Sequence, residues 1–340
     1  MNNIESVKTK QGNIYLEITS KCNLQCQYCY NDSVPSGSCL SLDIIKEIID
    51  YSVESDCRHV AISGGEPFLH PDFLDIIKYA SSKQMPLYII TNASIMSEEK
   101  LKELAPYISN LKFQLSFDGG NEKTHAISRG EKNFLQLLSC IDYFKKHDFM
   151  DHLLIRYNIL PYNYMEIKAF ISLMASQGCQ AISFSYILPQ GRGTLFGATL
   201  SDVVKDEIYS NVCSLKNDYT DINIDIKQKP VITCPYAIVR ANQTILFSPR
   251  VDSCGNVYPC QVEVDSKFIL GNLYSQTMKD ILTSQKLKDY FKHVTRKEIR
   301  NKNCGQCGFK CICGGGCVAI KNDCNQMKKA MIRDFLHISD

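Results

Sequence analysis

The sequence predicts an α/β fold, with a parallel sheet built from repeated βα units and a cysteine-rich domain after it. Up to about residue 220, short runs rich in Ile, Val, Leu or Tyr alternate with longer segments of helical period, which is typical of βα units. Beyond that point the periodicity fades, and nine of the 17 cysteines follow. A chain of 340 residues is long enough for about two domains.

Six predicted strands alternate with helices whose apolar residues recur at i, i+3 and i+4 spacing. The strands are Asn13 to Thr19, His59 to Ser63, Leu87 to Thr91, Leu111 to Phe117, His152 to Ile159 and Ala181 to Leu188. Helices are expected behind the cap Ser41, behind Pro71, and over Glu98 to Ile108, Phe134 to His147, Met165 to Ser176 and Ser201 to Leu215. Six units are too few for a closed eight-stranded barrel. An open, curved partial barrel and a doubly wound sheet both remain, and in either the chemistry collects at the carboxyl ends of the strands.

Charge and composition exclude several classes of protein. Lysine and arginine number 38 against 36 aspartate and glutamate, so neither nucleic acid nor an anionic membrane is predicted as a partner. No apolar run approaches the ~20 residues that span a bilayer. The start, Met1 to Lys10, is polar and has no signal-peptide core. We therefore expect a cytoplasmic protein, in which clustered cysteines indicate metal or redox chemistry more often than disulfides.

The domain boundary is placed near Asp218 to Ile226, giving domains at residues 1–220 and 221–340. The second domain is predicted to be loop-rich and to need metal for the stability that its core does not supply. Five cysteines outside the clusters are expected to be buried and inert: Cys39, Cys57, Cys140, Cys179 and Cys213.

The first cysteine cluster follows the first predicted strand directly. Cys22, Cys26 and Cys29 are spaced C-x3-C-x2-C, with Tyr28 before the last of them. Three thiolates on one loop can bind three irons of a 4Fe-4S cluster and leave the fourth iron open for a substrate or cofactor. From the spacing alone, a zinc site with a distant fourth ligand and cysteines that merely fill core space are the alternatives.

This loop resembles the signature of the radical S-adenosylmethionine (SAM) enzymes, in which a C-x3-C-x-aromatic-C loop follows the first strand of a partial (β/α)6, TIM-like barrel. The resemblance extends from residue 13 to about 200 and implies that fold. Gly64, Gly65, Glu66 and Pro67 follow the second strand, as the family's GGEP motif does. They are thereby implied to receive the amino group of SAM, since carbonyls and a carboxylate suit an ammonium.

Further matches end the third and fourth strands and lead into the segment that follows. The matching residues are Thr91 and Asn92 of a Thr-Asn-Gly element, Ser116 to Gly119 of a Ser-Leu-Asp-Gly element, and His125, Arg129 and Gly130 of a His-Asp...Arg-Gly stretch, with departures at Ala93 and Ala126. The implied SAM contacts are Tyr28, Asn92, Ser116, Asp118 and Arg129, the last because a guanidinium fork suits a carboxylate. Residue by residue, the alternatives are a core tyrosine at 28, a helix cap at 118 and a surface arginine at 129. His125 is expected to be structural.

The second cysteine cluster resembles the SPASM extension of radical SAM enzymes, which holds auxiliary 4Fe-4S clusters. Cys304, Cys307, Cys313 and Cys317 are spaced C-x2-C-x5-C-x3-C, and Gly255 to Cys260 reads Gly-Asn-Val-Tyr-Pro-Cys. By resemblance, the inner cluster is assigned to Cys234, Cys254, Cys260 and Cys317, and the outer one to Cys304, Cys307, Cys313 and Cys324. Cys311 is a substitute for Cys313 or a free thiol. From spacing alone, paired zinc knuckles are the alternative.

The cofactors implied are SAM and three 4Fe-4S clusters, one binding SAM and two auxiliary. The resemblance implies reductive cleavage of SAM to a 5'-deoxyadenosyl radical that abstracts a hydrogen atom from the substrate. Since SPASM enzymes act mainly on peptides and proteins, an oxidative modification or crosslink of a ribosomal peptide is the first hypothesis. Quenching of the substrate radical by a thiol would instead give an epimer, with Cys311 and Cys254 as candidate hydrogen donors. The alternatives are a dehydrogenase or epimerase of a sugar or aminocyclitol, and a non-catalytic metal-binding module.

The expected partners are a peptide or protein substrate and a reductant of the flavodoxin or ferredoxin type. Only about a dozen residues precede the first predicted strand. Leader-peptide recognition is therefore expected to need a separate protein or the barrel itself.

Overall fold

The computed structural model describes residues 9–195, 200–226 and 245–295. The strands are β1 (Thr9–Gln11), β2 (Ile14–Thr19), β3 (Val60–Gly64), β4 (Leu87–Thr91), β5 (Leu111–Phe117), β6 (Leu153–Ile159), β7 (Ala181–Tyr186), β8 (Asn223–Ile226), β9 (Ile245–Phe247), β10 (Arg250–Val251), β11 (Asn256–Tyr258) and β12 (Gly271–Asn272). The α-helices are α1 (Leu42–Glu54), α2 (Phe73–Ser82), α3 (Glu98–Leu104), α4 (Glu122–Arg129), α5 (Asn133–Lys146), α6 (Ile167–Ser176), α7 (Asp202–Leu215), α8 (Met278–Leu282) and α9 (Gln285–Thr295).

One sheet forms the frame, in the order β12-β11-β10-β2-β3-β4-β5-β6-β7-β8. From β2 to β8 every neighbouring pair is parallel and the strands follow in chain order. A doubly wound sheet reverses its strand order at a switch point, and this sheet does not between β2 and β8. The described part of β2 pairs with β10 and β3 and not with β8, so the barrel is open. The partial barrel is thus confirmed, with β8 as a seventh parallel strand that was not predicted.

The predicted strands β2 to β7 end within two residues of the observed ones, whereas two helices differ for local reasons. Helix α3 ends at Leu104 and continues as the 3-10 helix Ala105–Asn110, because Pro106 has no N–H for an α-helical bond. Helix α4 was not predicted. Its N-cap is Asn121, whose side chain accepts a bond from the Thr124 amide at 3.0 Å.

The strands separate an apolar outer face from a polar lumen. On β2, Ile14, Leu16 and Ile18 pack into the hydrophobic core, and Tyr15 and Glu17 alternate with them on the opposite face. The same alternation places polar residues along the lumen on the next strands: Ser63, Gln114, Ser116, Arg156, Asn158, Ser183 and Ser185. The lumen is therefore a polar groove lined by several strands.

Residues 245–295 contain more regular secondary structure than predicted. Strand β10 pairs with β2 and extends the sheet, and β11 and β12 add antiparallel strands. Helix α9 buries Leu287, Tyr290, Phe291 and Val294, which stand at i, i+3, i+4 and i+7 and signal an amphipathic helix. The prediction of a loop-rich segment is wrong for these residues. The domain boundary near Asp218 to Ile226 stays a prediction.

Among the described residues, nine cysteines are free: Cys22, Cys26, Cys29, Cys39, Cys57, Cys140, Cys179, Cys213 and Cys254. Cys57, Cys140 and Cys179 are buried as expected, whereas Cys39 and Cys213 are only half-buried. Burial raises the pKa of Cys140 and Cys179 to about 12, so these two are inert thiols. In the described part of the chain, no helix has the length and apolar character needed to cross a membrane.

Candidate active site

The three clustered cysteines lie on one loop at the carboxyl end of β2. This cysteine loop, residues 20–40, is closed on itself by backbone pairing between Thr19 and Cys39 and between Lys21 and Val34. The Cys22 amide donates to the Val34 carbonyl at 3.1 Å, and the Cys29 amide donates to the Cys26 carbonyl at 3.2 Å. The loop backbone is thus fixed independently of the thiols.

A turn after β7 holds the cysteine loop from a second side. Arg192 donates from its amide to the Cys29 carbonyl at 2.9 Å and from Nε to the Cys26 carbonyl at 3.0 Å. Gly191 has a φ of +51°, and a Cβ there would lie 2.6 Å from the Tyr30 carbonyl oxygen. Only glycine fits such a contact in this conformation. Sequence reasoning missed this turn, although Gly-Arg-Gly shortly after a predicted strand was a usable signal.

The glycines after β3 serve the same loop. The Gly65 amide donates to the Thr19 carbonyl at 2.7 Å, and the Glu66 amide donates to the Lys21 carbonyl at 2.8 Å. A Cβ on Gly64 would lie 2.1 Å from the Thr19 carbonyl oxygen. In the described structure, these glycines therefore allow β3 to approach the start of the cysteine loop.

The Glu66 side chain is fully buried and bonded to the end of β4. It accepts from Thr91 Oγ1 at 2.7 Å, from the Asn92 amide at 2.8 Å and from the Phe68 amide at 3.2 Å. Burial raises the pKa of Glu66, and these hydrogen bonds offset part of the effect. The carboxylate has no surface for a ligand here, so the predicted contact of Gly64 to Pro67 with SAM would be made by backbone groups. That contact stays a prediction.

Asn92 links β4 to the cysteine loop. Its Nδ2 lies 3.8 Å from Cys22 Sγ and 3.5 Å from Asn23 Oδ1. Hydrogen bonds to the sulfurs are one means by which a protein tunes an iron-sulfur cluster. The next residue, Ala93, has a φ of +55°. This explains why glycine is the family's residue at the position where this chain departs.

Asp118 stands at the centre of a buried cluster at the end of β5. Its Oδ2 accepts from Arg129 Nε at 2.7 Å, from Ser128 Oγ at 2.6 Å and from the Tyr28 hydroxyl. Its Oδ1 accepts from Asn158 Nδ2 at 2.9 Å. Burial alone would raise the pKa of Asp118, but the Arg129 charge and these hydrogen bonds hold it below its ordinary value. The carboxylate is therefore ionised, and both of its oxygens accept hydrogen bonds from protein side chains.

Three sequence expectations change at this cluster. Arg129 is buried and is not a surface arginine, and Asp118 does not cap α4. Arg129 Nε binds Asp118 and Nη2 donates to the Tyr28 hydroxyl at 2.6 Å. Only Nη1 makes no hydrogen bond with a described residue. The Nε–Nη2 edge of the guanidinium is therefore not available to the SAM carboxylate, whereas Nη1 is.

His125 is structural, as expected. Its Nδ1 accepts from the Asp118 amide at 3.2 Å, and its Nε2 lies 2.9 Å from Asn133 Oδ1. Burial, with the nearby Arg129 charge, lowers its pKa to about 4, so the ring is neutral at physiological pH. The neutral ring therefore joins Asp118, at the end of β5, to Asn133, at the start of α5, and so helps to position α4, which carries Arg129.

A second buried ion pair joins β2 to β10. Arg250 donates from Nε and Nη2 to the two carboxylate oxygens of Glu17, at 2.7 and 3.1 Å, and from Nη1 to the Glu263 carbonyl at 2.9 Å. The Tyr30 hydroxyl donates to Glu17 at 3.4 Å and pairs with the Tyr15 hydroxyl. This pair was not predicted, because its members are 233 residues apart.

Two of the predicted auxiliary ligands are described, and they lie close to this pair. Cys254 is exposed in the turn between β10 and β11, with its Sγ 3.9 Å from Ser38 Oγ of the cysteine loop. Cys260 is half-buried just after β11. The remaining predicted ligands and the candidate donor lie outside the described residues: Cys234, Cys304, Cys307, Cys311, Cys313, Cys317 and Cys324.

The donor set at the cysteine loop fits a 4Fe-4S cluster. In a cubane each thiolate binds a different iron, so the sulfurs need not converge on one point. In the described ranges no three His, Cys, Asp or Glu side chains converge as a single metal ion requires. Burial raises the pKa of Cys26 to about 11, so binding of a cluster at this thiol releases a proton.

Two family models match the chain. Residues 16–174 match the radical SAM superfamily, and residues 247–308 match the SPASM iron-sulfur cluster-binding domain. This chain is a radical SAM enzyme with a SPASM domain. The predicted family is therefore confirmed, and so are its cofactors, SAM and 4Fe-4S clusters.

The relatives of this radical SAM enzyme match most of its length. The subtilosin biosynthesis protein AlbA of Bacillus subtilis is 24% identical and covers 95% of this chain and 72% of its own. The AdoMet-dependent heme synthase of Methanosarcina barkeri is 26% identical, covering 88% and 89%. The mycofactocin maturase MftC of Mycolicibacterium smegmatis is 26% identical, covering 90% and 77%. Among solved structures, Streptococcus suis SuiB bound to its precursor peptide SuiA has a TM-score of 0.74 at 15% identity, covering 93% and 73%.

Proposed function

We propose that this radical SAM enzyme is a peptide maturase that abstracts a hydrogen atom from a peptide or protein and leaves an oxidative modification or crosslink. The observation that carries the proposal is the match to AlbA and MftC over 95% and 90% of the chain. Their names describe a bacteriocin biosynthesis protein and a maturase. The family match also argues against a non-catalytic metal-binding module.

Each side chain of the site has a proposed role. Cys22, Cys26 and Cys29 would hold the cluster that binds SAM. The cluster and SAM together would supply one-electron reduction and hydrogen-atom abstraction. Arg192 fixes the backbone carbonyls of the loop, so the loop keeps its shape when the thiols are engaged. Arg129 Nη1 would receive the carboxylate of SAM.

The remaining predicted contacts with SAM would complete the cofactor site. Tyr28 would lie against the adenine, and Ser116 and Asn92 would contact polar groups of SAM. The auxiliary ligands follow the assignment made from the resemblance. The C-terminal cysteines would bring the number of clusters to three, and Cys254 would be a ligand rather than a hydrogen donor.

The first test addresses the cofactors. We expect about 12 irons per chain after anaerobic reconstitution, as three 4Fe-4S clusters require. With SAM and dithionite, the enzyme should release 5'-deoxyadenosine. Cys26→Ala should abolish this product, whereas the matched variant Cys213→Ala, which changes a half-buried cysteine outside the loop, should retain it. Nucleoside release by Cys26→Ala at the wild-type rate would refute the proposed cluster site.

The second test addresses the substrate. A short peptide encoded next to the gene should lose hydrogen atoms, seen by mass spectrometry, when incubated with the reduced enzyme and SAM. Deuterium placed at the modified carbon should appear in 5'-deoxyadenosine. A neighbouring peptide of unchanged mass, together with deuterium transfer from a small molecule, would contradict peptide maturation.

The match to heme synthase favours a second candidate, a small-molecule substrate. A sugar or aminocyclitol dehydrogenase or epimerase belongs to the same class, and the deuterium experiment distinguishes it from peptide maturation. For either substrate we propose a flavodoxin- or ferredoxin-type reductant and a cytoplasmic location. For a peptide substrate, a separate leader-binding protein is a further proposed partner.

A further inference from the structure

Arg156 lies in the middle of β6 and faces the lumen of the barrel. Its Nε and Nη2 donate to Gln114 Oε1, both at the long distance of 3.4 Å. The Tyr88 hydroxyl donates to the same oxygen at 3.2 Å. Among the described residues, no carboxylate lies within 4 Å of this guanidinium. With described residues, the guanidinium therefore makes only two weak hydrogen bonds, both to one neutral oxygen.

The other arginines at the barrel mouth are different. Each has a carboxylate within 4 Å: Arg129 has Asp118, Arg192 has Asp32 and Arg250 has Glu17. Burial lowers the pKa of Arg156, and Tyr88 and Asp225 offset this only in part. Asp225 is exposed on β8, two strands away, since both residues pair with Ser183. A guanidinium withdrawn from water is costly unless an anion accompanies it.

Two hydroxyl groups flank the guanidinium. Ser116 on β5 and Ser183 on β7 are the cross-strand neighbours of Arg156. Both are nearly buried, at 8% and 5% exposed, and neither hydroxyl bonds to a described residue. One guanidinium between two hydroxyls is a donor set that suits a carboxylate.

This donor set lies deeper in the lumen than the buried side-chain cluster around Asp118. Asn158, two residues further along β6, contacts Tyr28 and Asp118 at the mouth. At about 3.3 Å per residue, Arg156 is roughly 6–7 Å below that level. Its side chain also reaches toward Gln114, which precedes Ser116 on β5 and lies further from the cysteine loop. Ser116 is itself a predicted SAM contact, whereas Arg156 and Ser183 face the space beyond the predicted SAM contacts.

We propose that Arg156, with Ser183, binds a carboxylate of the substrate. The proposal rests on the proposed function and narrows it to a peptide that carries an acidic group close to the modified residue. That group is an acidic side chain or the C-terminal carboxylate, and the same donors bind either.

The test measures the affinity of the reconstituted enzyme, with SAM present, for three tripeptide probes by NMR titration. The probes are acetyl-Gly-Glu-Gly-amide, its glutamine analogue, and acetyl-Gly-Gly-Gly with a free C-terminus. At least one acidic probe should bind about fivefold more tightly than the neutral one, and which one does so identifies the source of the carboxylate. Arg156→Gln should reduce the preference to within about twofold, and Arg156→Lys should retain part of it because the charge is kept. Arg58→Gln, which changes an exposed arginine, should leave the preference unchanged.

Two results would overturn this assignment. One is that the wild-type enzyme shows no preference for an acidic probe, or that Arg156→Gln keeps the full preference. The other is a loss of SAM affinity in Arg156→Gln, measured by equilibrium dialysis, which would place the arginine in the cofactor site. Failure of the wild-type enzyme to cleave SAM would count against the proposed function alone, since probe binding is measured without turnover.

Discussion

Two buried ion pairs stand on either side of the cysteine loop, and they differ in how completely the carboxylate is hydrogen-bonded. Asp118 accepts bonds from Arg129, Tyr28, Ser128 and Asn158. Glu17 accepts two bonds from Arg250 and one long bond, at 3.4 Å, from Tyr30. Burial raises the pKa of Glu17 above its ordinary value, and Arg250 offsets this only in part. For Asp118 the same burial effect is outweighed and the pKa falls.

The comparison shows that one arginine does not by itself bring the pKa of a buried carboxyl below its ordinary value. At Asp118 the Arg129 charge and the neutral donors together outweigh burial, whereas at Glu17 the nearby Asp252 charge adds to the effect of burial on the pKa. The pair near the predicted SAM contacts is thus a rigid ionic unit. In the pair that connects the barrel to residues 245–295, burial raises the pKa of the carboxyl.

Matched amide substitutions give the largest expected difference between the two pairs. Asp118→Asn should lower the free energy of unfolding by about 3–5 kcal/mol, because it leaves Arg129 buried without a counter-charge. Glu17→Gln should cost less, about 1–3 kcal/mol, because burial already disfavours the ionised form. Urea denaturation followed by tyrosine fluorescence measures both, since the chain has 18 tyrosines and no tryptophan. An equal loss in the two variants would remove the distinction.

The tyrosines of the cysteine loop provide a second matched test. Tyr28→Phe removes a hydroxyl that bonds to Asp118, Arg129 and Asn158, and should cost about 2–3 kcal/mol. Tyr30→Phe removes a hydroxyl that bonds to Tyr15 and weakly to Glu17, and should cost about 1 kcal/mol. The same urea experiment reports both values. A larger loss for Tyr30→Phe would reverse the proposed order of the two pairs.

What the sequence could predict depended on whether the residues were close along the chain. Cys22, Cys26 and Cys29 share one loop, so their spacing, together with the resemblance of that loop to the family signature, indicated a cluster site. Asp118 and Arg129 are 11 residues apart and both were selected. Their bond to each other was not predicted, because the guanidinium had been assigned to SAM.

The residues that were missed act across long separations. Arg192 bonds to a carbonyl 166 residues earlier, and Arg250 bonds to a carboxylate 233 residues earlier. No local pattern reveals such a partner. Strand β8 was missed for a different reason, since its alternating pattern is only four residues long and the change in composition begins at the same place.

The smallest expected effect separates the two pairs by its dependence on pH. Because the folded-state pKa of Asp118 is lowered, the carboxyl is ionised in both the folded and unfolded states above about pH 5. The stability lost in Asp118→Asn should therefore be constant between pH 7.5 and about 5. Because the folded-state pKa of Glu17 is raised, the wild-type chain takes up a proton on folding as the pH falls through that pKa.

The stability lost in Glu17→Gln should accordingly grow as the pH falls from 7.5 toward 5, by at most about 1.4 kcal/mol per pH unit. Urea midpoints measured at several pH values for the wild type and both amide variants give the two slopes, and differences from the wild type cancel the titration of all other groups. Growth in Asp118→Asn with none in Glu17→Gln would mean that the raised carboxyl pKa belongs to the pair near the predicted SAM contacts and not to the pair that joins β10 to β2.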